Sequence, residues 1–413
     1  MSSRIFPKTV PHRLESEASL EKPTIVWFSN SPTAPTGYGV VTKNIVFPLH
    51  QRGYKISVVA FWGCEGAAMQ VQGVTIYPRR FDLYGKDAAQ IVLDNVKPDV
   101  FITLFDVWVG AEWLPKLHPR WVAWCPVDHQ PIPQPVYDVL RYVYKPVAMS
   151  KFGFDEMMKA DLRPRYIPHG VDTKVFHPID KRQCREKLGF KEDQFIVGIN
   201  AANKGTRKDF ARMFLAFKKF LDDNPDAVRH SKLYMNTYPR FPEGLDLSAL
   251  SVYMGLKDHT IVTSEFRRYI GISDQGMAEF YNTHDVFLNL ARGEGFGIPI
   301  IEAQACGVPV IATDFSSMPE LVKGHGWLIS PVTFDITPLL ANQAIANVND
   351  AAQAIEEAYN KPDLRETYSK ASLEFAQQYD YEQKIIPMWE RLLREIAEAV
   401  SYTHLTLPTK RIV

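Results

Sequence analysis

Two carboxylates eight positions apart, Glu294 and Glu302, lie in the stretch GEGFGIPIIEAQACG at residues 293–307. An apolar run ending at Leu288 reads as a buried strand, and Gly293, Gly295 and Gly297 after it read as a loop. Pro299 then falls at the first helical position, where its missing N–H costs nothing, and Gly307 closes the short helix. Glycines let a backbone come close to a ligand, and the free N–H groups of a helix start favour an anion such as a phosphate. Glu294 is expected in the loop and Glu302 on the first turn of the helix. Carboxylates so placed can accept hydrogen bonds from paired sugar hydroxyls. Complementing the helix dipole would account for Glu302 alone and leaves the glycines, Pro299 and Glu294 unexplained.

A second cluster follows the apolar run Phe195–Asn200. The segment NAANKGTRKD, residues 200–209, brings Asn203, Lys204, Arg207 and Lys208 to the start of a helix. Cations are disfavoured there by the helix dipole, so a bound anion explains them better than a solvated surface does.

In the first half of the chain, SNSPTAPTGYG at residues 29–39 links a strand to a helix through Gly37 and Gly39. A phosphate-side loop and a plain connection account for it about equally. Asp128 and His129 end the strand Trp121–Cys125 in the sequence PVDH. An acid and a histidine at a buried strand end need partners, and capping serves that need as well as catalysis does. Asp106, after Val100–Leu104, is a similar candidate. His169, Gly170 and Asp172 read as structural, with Asp172 turning the chain and Gly170 supplying an unusual backbone angle. The tryptophans at 108, 113, 121 and 124 are expected in the core.

These groups need elements to hold them. Short apolar runs alternate with helical patterns along the chain, the rhythm of βαβ units on parallel sheets. The first half places strands at Thr24–Ser29, Lys55–Phe61, Val100–Leu104, Trp121–Cys125 and Lys145–Met149. The second places them at Phe195–Asn200, Lys232–Met235, Thr260–Val262, Val286–Leu288, Val310–Thr313 and Gly326–Ile329. Long helices are expected at Asp350–Tyr359, Leu364–Gln378 and Tyr381–Val400. A break without periodicity, Tyr166–Pro178, separates the halves. Two doubly wound α/β domains follow, with ligands in the crevice at the C-terminal strand ends. The divisions are an N-terminal extension (1–22), a first Rossmann-like domain (23–177), a second (178–378), a returning helix (379–400) and a tail (401–413) that breaks the helical pattern.

The 413 residues are 46% hydrophobic and 12% aromatic, enough for sizeable cores. Forty-seven basic residues balance 47 acidic ones, which argues against a polybasic nucleic-acid binder. Cys64, Cys125, Cys184 and Cys306 lie far apart with no CxxC, so neither a disulfide framework nor a zinc site is expected. With no apolar segment at the start and no run long enough to cross a bilayer, a cytoplasmic protein is expected.

The stretch 293–307 resembles the E-x7-E signature of retaining glycosyltransferases with the GT-B fold, the large family four of sucrose synthases, glycogen synthases and mannosyltransferases. Its neighbours Asp274–Leu288 and Val308–Val322 are similar to the elements flanking that signature. Tyr166–Phe176 resembles the family's interdomain segment, and Tyr379–Arg391, with Tyr381 and Trp389, its returning helix. The resemblance implies a nucleotide-sugar donor on the second domain and an acceptor (a glycan, a lipid-linked sugar or a small molecule) on the first. Glu302 would hold the ribose hydroxyls, and Glu294 would face the donor sugar beside the backbone of Gly295, Phe296 and Gly297. Lys208 matches the family's diphosphate lysine. Asn203, Lys204 or Arg207 would supply the second contact, because NAANKG departs from the family's usual GR pattern. Gly37 and Gly39 would lie beside the donor phosphates, with Asp128 and His129 facing the sugar. Metal independence is implied, since no DxD motif is present, and no cofactor besides the donor is expected. Some relatives work at membrane surfaces, but no strongly basic amphipathic helix in the first domain supports that here. A sugar-nucleotide epimerase, a phosphorylase and a non-catalytic nucleotide-sugar-binding protein are the competing classes.

Overall fold

A computed structural model describes residues 21–269 and 271–406. Most of the expected N-terminal extension and the last residues of the expected tail lie outside that range.

The first domain is built on β1 (Ile25–Asn30), β2 (Ile56–Trp62), β3 (Met69–Val71), β4 (Val74–Pro78), β5 (Val100–Leu104), β6 (Trp121–Cys125), β7 (Lys145–Ala148) and β8 (Arg165–Tyr166). They form one sheet in the order β3-β4-β2-β1-β5-β6-β7-β8, parallel except where β3 runs against β4. Every residue of β1, β5 and β6 is buried. That is why these strands read as unbroken apolar runs: helices cover both faces of a parallel sheet.

The second domain carries β9 (Phe195–Asn200), β10 (Ser231–Asn236), β11 (Thr260–Val262), β12 (Val286–Asn289), β13 (Val310–Thr313) and β14 (Gly326–Ile329). Their order is β11-β10-β9-β12-β13-β14, all parallel. A separate antiparallel hairpin, β15 (Pro331–Ile336) with β16 (Asn342–Ala346), follows. In each main sheet the first strand, β1 or β9, sits centrally, so the connections diverge on either side of it and open a crevice at the C-terminal strand ends.

Two crossings join the domains, and they are bonded to each other. Val171 N–H donates to Tyr379 O at 2.9 Å, and Tyr381 N–H donates to Val171 O at 3.1 Å. Gly170 is not in the left-handed region expected of it. Its lack of a side chain serves close packing instead, since a Cβ would stand 2.7 Å from Tyr379 O and 2.8 Å from Tyr381 Cδ1. Asp172 turns the chain as expected, its Oδ1 accepting from Lys174 N–H at 3.0 Å.

The closing helix, Ile386–Thr406, packs on the first domain. Its Trp389 is fully buried, with ring centroids 5.5 Å from Trp27 and 5.1 Å from Trp124. Arg52–Glu382 (2.6 Å), just before the helix, and Arg165–Glu395 (2.8 Å), near its middle, pair it with the first domain. The helix runs to Thr406, so the expected break at residue 401 is corrected: residues 401–406 continue it. The strands β3, β4, β8, β15 and β16 are not in the sequence reading; β3 and β8 have only three and two residues, and β15 is largely exposed and carries no apolar run.

His284 lies wholly inside the second domain with both ring nitrogens unpartnered, its centroid 4.5 Å from that of Phe280. Burial pushes its pKa down to about 3. The unfolded chain takes this proton near the ordinary value of about 6.5. The contribution to stability is therefore present above that pH and is lost as the pH falls toward 3, with a slope of up to about 1.4 kcal/mol per pH unit. Glu320, raised to about 7 by burial, acts in the opposite sense, stabilising at low pH and losing that contribution as the pH rises. His284→Phe is expected to flatten the fall of Tm between about pH 6 and pH 4 relative to the wild type. Parallel curves would show that this ring is not a source of the acid sensitivity.

Candidate functional site

The loop after β12 carries Glu294 to the crevice and fixes it from several sides. Its N–H donates to Ser316 Oγ at 2.9 Å, and Ser317 Oγ donates to Glu294 O at 2.9 Å and to Phe296 O at 2.7 Å. The carboxylate is buried, pairs with Lys208 Nζ and with Arg207 Nη1 (3.0 Å), and accepts from Asn289 Nδ2 at 3.2 Å. Burial alone would raise its pKa; Lys208 and Arg207 outweigh that and hold it below the ordinary glutamate value. Burial, joined by the neighbouring Arg207 charge, holds the Lys208 pKa below its ordinary value in spite of Glu294.

Among the candidates for the second cationic position, the fold brings Arg207 to the site. Its Nη1 also donates to Gly293 O at 2.9 Å, and its side chain stays 41% exposed toward the crevice. Asn203 is not brought there. Its Nδ2 donates to Tyr238 O (3.0 Å) and Leu245 O (2.6 Å), and its Oδ1 accepts from Leu245 N–H (3.1 Å), so its amide is used up holding its own loop. Lys204 reaches Glu243 at 3.4 Å on the surface.

Gly293 and Gly295 serve a purpose the sequence reading did not foresee. A Cβ on Gly293 would stand 2.3 Å from Asp128 O, and one on Gly295 would stand 2.5 Å from Pro126 Cβ. The glycines thus let the loop of the second domain lie against the segment 126–129 of the first. Gly39 likewise abuts its own loop, 2.2 Å from Ala34 O at the Cβ position, and Gly37 faces Ile298 of the second domain. Gly297, beside Phe296, precedes the helix Ile298–Ala305.

Glu302 stands on the second turn of that helix, not the first, so the dipole contribution expected of it is weak. Its Oε2 accepts from Tyr281 OH at 2.7 Å, and Tyr281 OH accepts from Asn200 Nδ2 at 2.7 Å. Burial pushes the Glu302 carboxyl up to about 7. Tyr281 and Asn200 were not singled out in the sequence. An amide closing a buried strand, Asn200, was the available signal.

Across the crevice, Asp128 Oδ1 lies 2.6 Å from His129 Nδ1, and its Oδ2 lies 3.9 Å from Arg207 Nη1. Those partners outweigh burial and hold Asp128 below its ordinary pKa. Asp106 accepts from Tyr38 OH at 3.2 Å, and burial followed by the nearby Asp128 charge raises its pKa. Asp106, Asp128 and His129 line a small cavity of about 20 Å³ with Trp108, which is 43% exposed rather than in the core. Lys43 pairs with Asp274, and Lys151 N–H donates to Glu320 at 2.7 Å, both from one domain to the other. His169 is buried between Trp124 (4.4 Å) and Phe296 (5.4 Å). Among the described residues, no group of three or more His, Cys, Asp or Glu side chains is placed to hold a metal ion.

Two doubly wound domains facing a crevice, joined by paired crossings and closed by a returning helix, define the GT-B fold. Residues 220–360 match the model of the family described as glycosyl transferases group 1, in keeping with the family-four resemblance of the sequence. The D-inositol 3-phosphate glycosyltransferase of Kribbella flavida is 28% identical over 227 residues, taking in 52% of this chain and 46% of that protein. The chain thus spans about half the length of that curated relative. Sucrose-phosphate synthase from Thermosynechococcus elongatus superposes with a TM-score of 0.74 at 16% identity, over 91% of this chain and 100% of that one. HepE of Anabaena, solved in complex with UDP-glucose, gives 0.67 at 16% identity, over 92% and 100%. At these identities the superpositions establish the fold.

Lys208→Met leaves Glu294 buried with one cation in place of two. It is expected to lower the unfolding free energy by about 1–3 kcal/mol in chemical denaturation. An unchanged midpoint would show that Arg207 alone satisfies the carboxylate.

Proposed function

We propose that the protein is a retaining, metal-independent glycosyltransferase that moves a sugar from a nucleotide-sugar donor to a hydroxyl of an acceptor held by the first domain. The observation that carries this is the convergence of Arg207 and Lys208 on Glu294 at the crevice end of the central strands. A fixed pair of cations beside a carboxylate suits a diphosphate leaving group next to a sugar whose hydroxyls need an acceptor. The transferase activity in the Kribbella relative's name and the UDP-glucose bound by HepE support the same reading.

In this reading Arg207 and Lys208 hold the diphosphate and Glu294 the donor sugar's hydroxyls, with the 295–297 backbone beside it. Glu302, oriented by Tyr281, accepts from the ribose hydroxyls. Asp128 and His129 face the sugar from the first domain. The resemblance to retaining GT-B glycosyltransferases implies attack from the front, without a protein nucleophile. The acceptor oxygen bonds to the anomeric carbon as the bond to the diphosphate breaks, and the acceptor's proton passes to the departing phosphate oxygen. Closure of the crevice keeps water from the donor. No cofactor besides the donor and no nucleic-acid partner is proposed. A cytoplasmic location is supported by four cysteines that are all buried and unpaired. No helix among the described residues is long and apolar enough to cross a membrane.

A thermal-shift panel of UDP, GDP, ADP and dTDP, with and without EDTA, tests the reading. One nucleotide at about 100 times its Kd is expected to stabilise the fold by roughly 2.7 kcal/mol, indifferent to EDTA. No shift with any of them would overturn it. Because Glu302 ionises near pH 7, affinity for that nucleotide is expected to tighten between about pH 6 and pH 8 more in the wild type than in Glu302→Gln. Equal pH profiles would remove Glu302 from the ribose role.

A further inference from the structure

We propose that the free edge of β15 pairs with the same edge of a second copy of this chain about a twofold axis at Phe334, so that two hairpins form one four-stranded antiparallel sheet. The surface lies on the hairpin alone, and its pairing does not depend on the reaction in the crevice.

The two edges of the hairpin differ. Thr337 N–H donates to Ala341 O at 3.0 Å, and the register continues through Ile336–Asn342, Asp335–Gln343, Phe334–Ala344 and Thr333–Ile345. Bonded and non-bonded pairs alternate along an antiparallel ladder. Asp335 and Thr333 therefore exchange the bonds with β16, while the N–H and C=O of Phe334 and Ile336 point away from it. The same alternation turns Asn342 and Ala344 outward on β16, and there the edge is covered: their N–H groups donate to Gln130 O and Arg292 O, both at 2.9 Å. Nothing among the described residues pairs with the outer edge of β15. Its five residues after Pro331 are all exposed, and Val332 (56%), Phe334 (51%) and Ile336 (71%) form an apolar row along it. Edge strands are ordinarily blunted by a lysine, a proline or a bulge. Here the bulge and the proline lie only at the start, at Pro331–Thr333, and the one charge, Asp335, is held by Arg292 at 3.0 Å.

The strand is complementary to itself. With the twofold axis at Phe334, an antiparallel copy sets Phe334 against Phe334, Val332 against Ile336 and Thr333 against Asp335. An apolar row meets an apolar row, the outward N–H and C=O of Phe334 bond those of its copy, and each Asp335 carboxylate faces a hydroxyl. Moving the axis to Asp335 would set two carboxylates directly opposite each other, which is destabilising. The charge thus selects the axis at Phe334. Both copies present the same edge, and the far edge of each β16 is already covered, so the pairing closes at two chains. A short strand and one row of side chains make a small interface beside the standard of about 1,600 Å², and a Kd in the micromolar range is expected.

Sedimentation velocity of the full chain from about 1 to 100 µM reads the mass, which is expected to rise from one chain to two with concentration. Thr333 is exposed and meets Asp335 of the copy in a pair without backbone bonds, where side chains come closest. Thr333→Lys is expected to tighten the dimer by about fivefold, since an ion pair forms on both sides of the axis, and Thr333→Asp to weaken it by a similar factor. Ile336→Pro removes an outward N–H that β16 does not use. It is expected to weaken dimerisation at least about tenfold while the dilute chain melts as the wild type does. If Ile336→Pro does not fold, the Thr333 pair decides. A mass of one chain at every concentration would overturn the inference and leave the edge to an extended segment of another protein. Species larger than two chains, or Thr333 variants with the wild-type Kd, would overturn it as well.

Discussion

The geometry of the crevice depends on burying the carboxylate of Glu294. An isolated buried charge is costly in a protein interior, so the fold must bring opposite charge to it. Here that charge comes from the loop after β9, through Arg207 and Lys208, while Asn289 and Ser316 fix the loop after β12. The two central strand ends of the second domain are thereby held to each other by ion pairs as well as by the sheet. The cations that satisfy the carboxylate in turn extend to the first domain, where Arg207 approaches Asp128. One buried charge thus links both walls of the crevice.

That arrangement requires the domains to sit close, and the packing achieves this with backbone as much as with side chains. Gly293 and Gly295 leave no room for a Cβ against residues 126–128, and Gly170 leaves none between the two crossings. The tryptophan trio of Trp27, Trp124 and Trp389 fastens the returning helix under the first sheet. Trp124 Nε1 also donates to Ile167 O at 2.9 Å, so the same side chain anchors the chain just before the first crossing. Core, hinge and crevice are parts of one packed unit.

The acidic groups divide by environment. Glu294 and Asp128, each beside cations or a histidine, are held ionised, whereas Glu302 and Asp106, buried with tyrosine partners, are pushed upward. Tyr281 and Tyr38 donate to the latter two from opposite sides of the crevice. Four carboxylates along one crevice thereby acquire different affinities for protons, and with them different capacities to accept from a ligand.

Much of the framework was legible in the sequence. The main strands announce themselves because a parallel sheet covered on both faces needs unbroken apolar runs, as in Ile25–Phe28 and Phe195–Ile199, and the Gly-and-acid loop at 293–302 marks the crevice by composition alone. The hairpin at 331–346 was not read, although Val332–Ile336 alternates apolar and polar residues, because β15 lies exposed and carries none of the unbroken apolar runs that mark the main sheets. Nor could spacing choose among Asn203, Lys204 and Arg207. They sit within five residues of one another in a loop, and only the path of that loop in space turns one toward Glu294 and commits another to Tyr238 and Leu245. The pairing of Glu302 with Tyr281, the closeness of Asp128 to the second domain and the packing purpose of the glycines join residues far apart in the chain. Local sequence determines which elements form, since propensity and burial act over a few residues. Which side chains meet across a crevice was decided by how the two sheets pack.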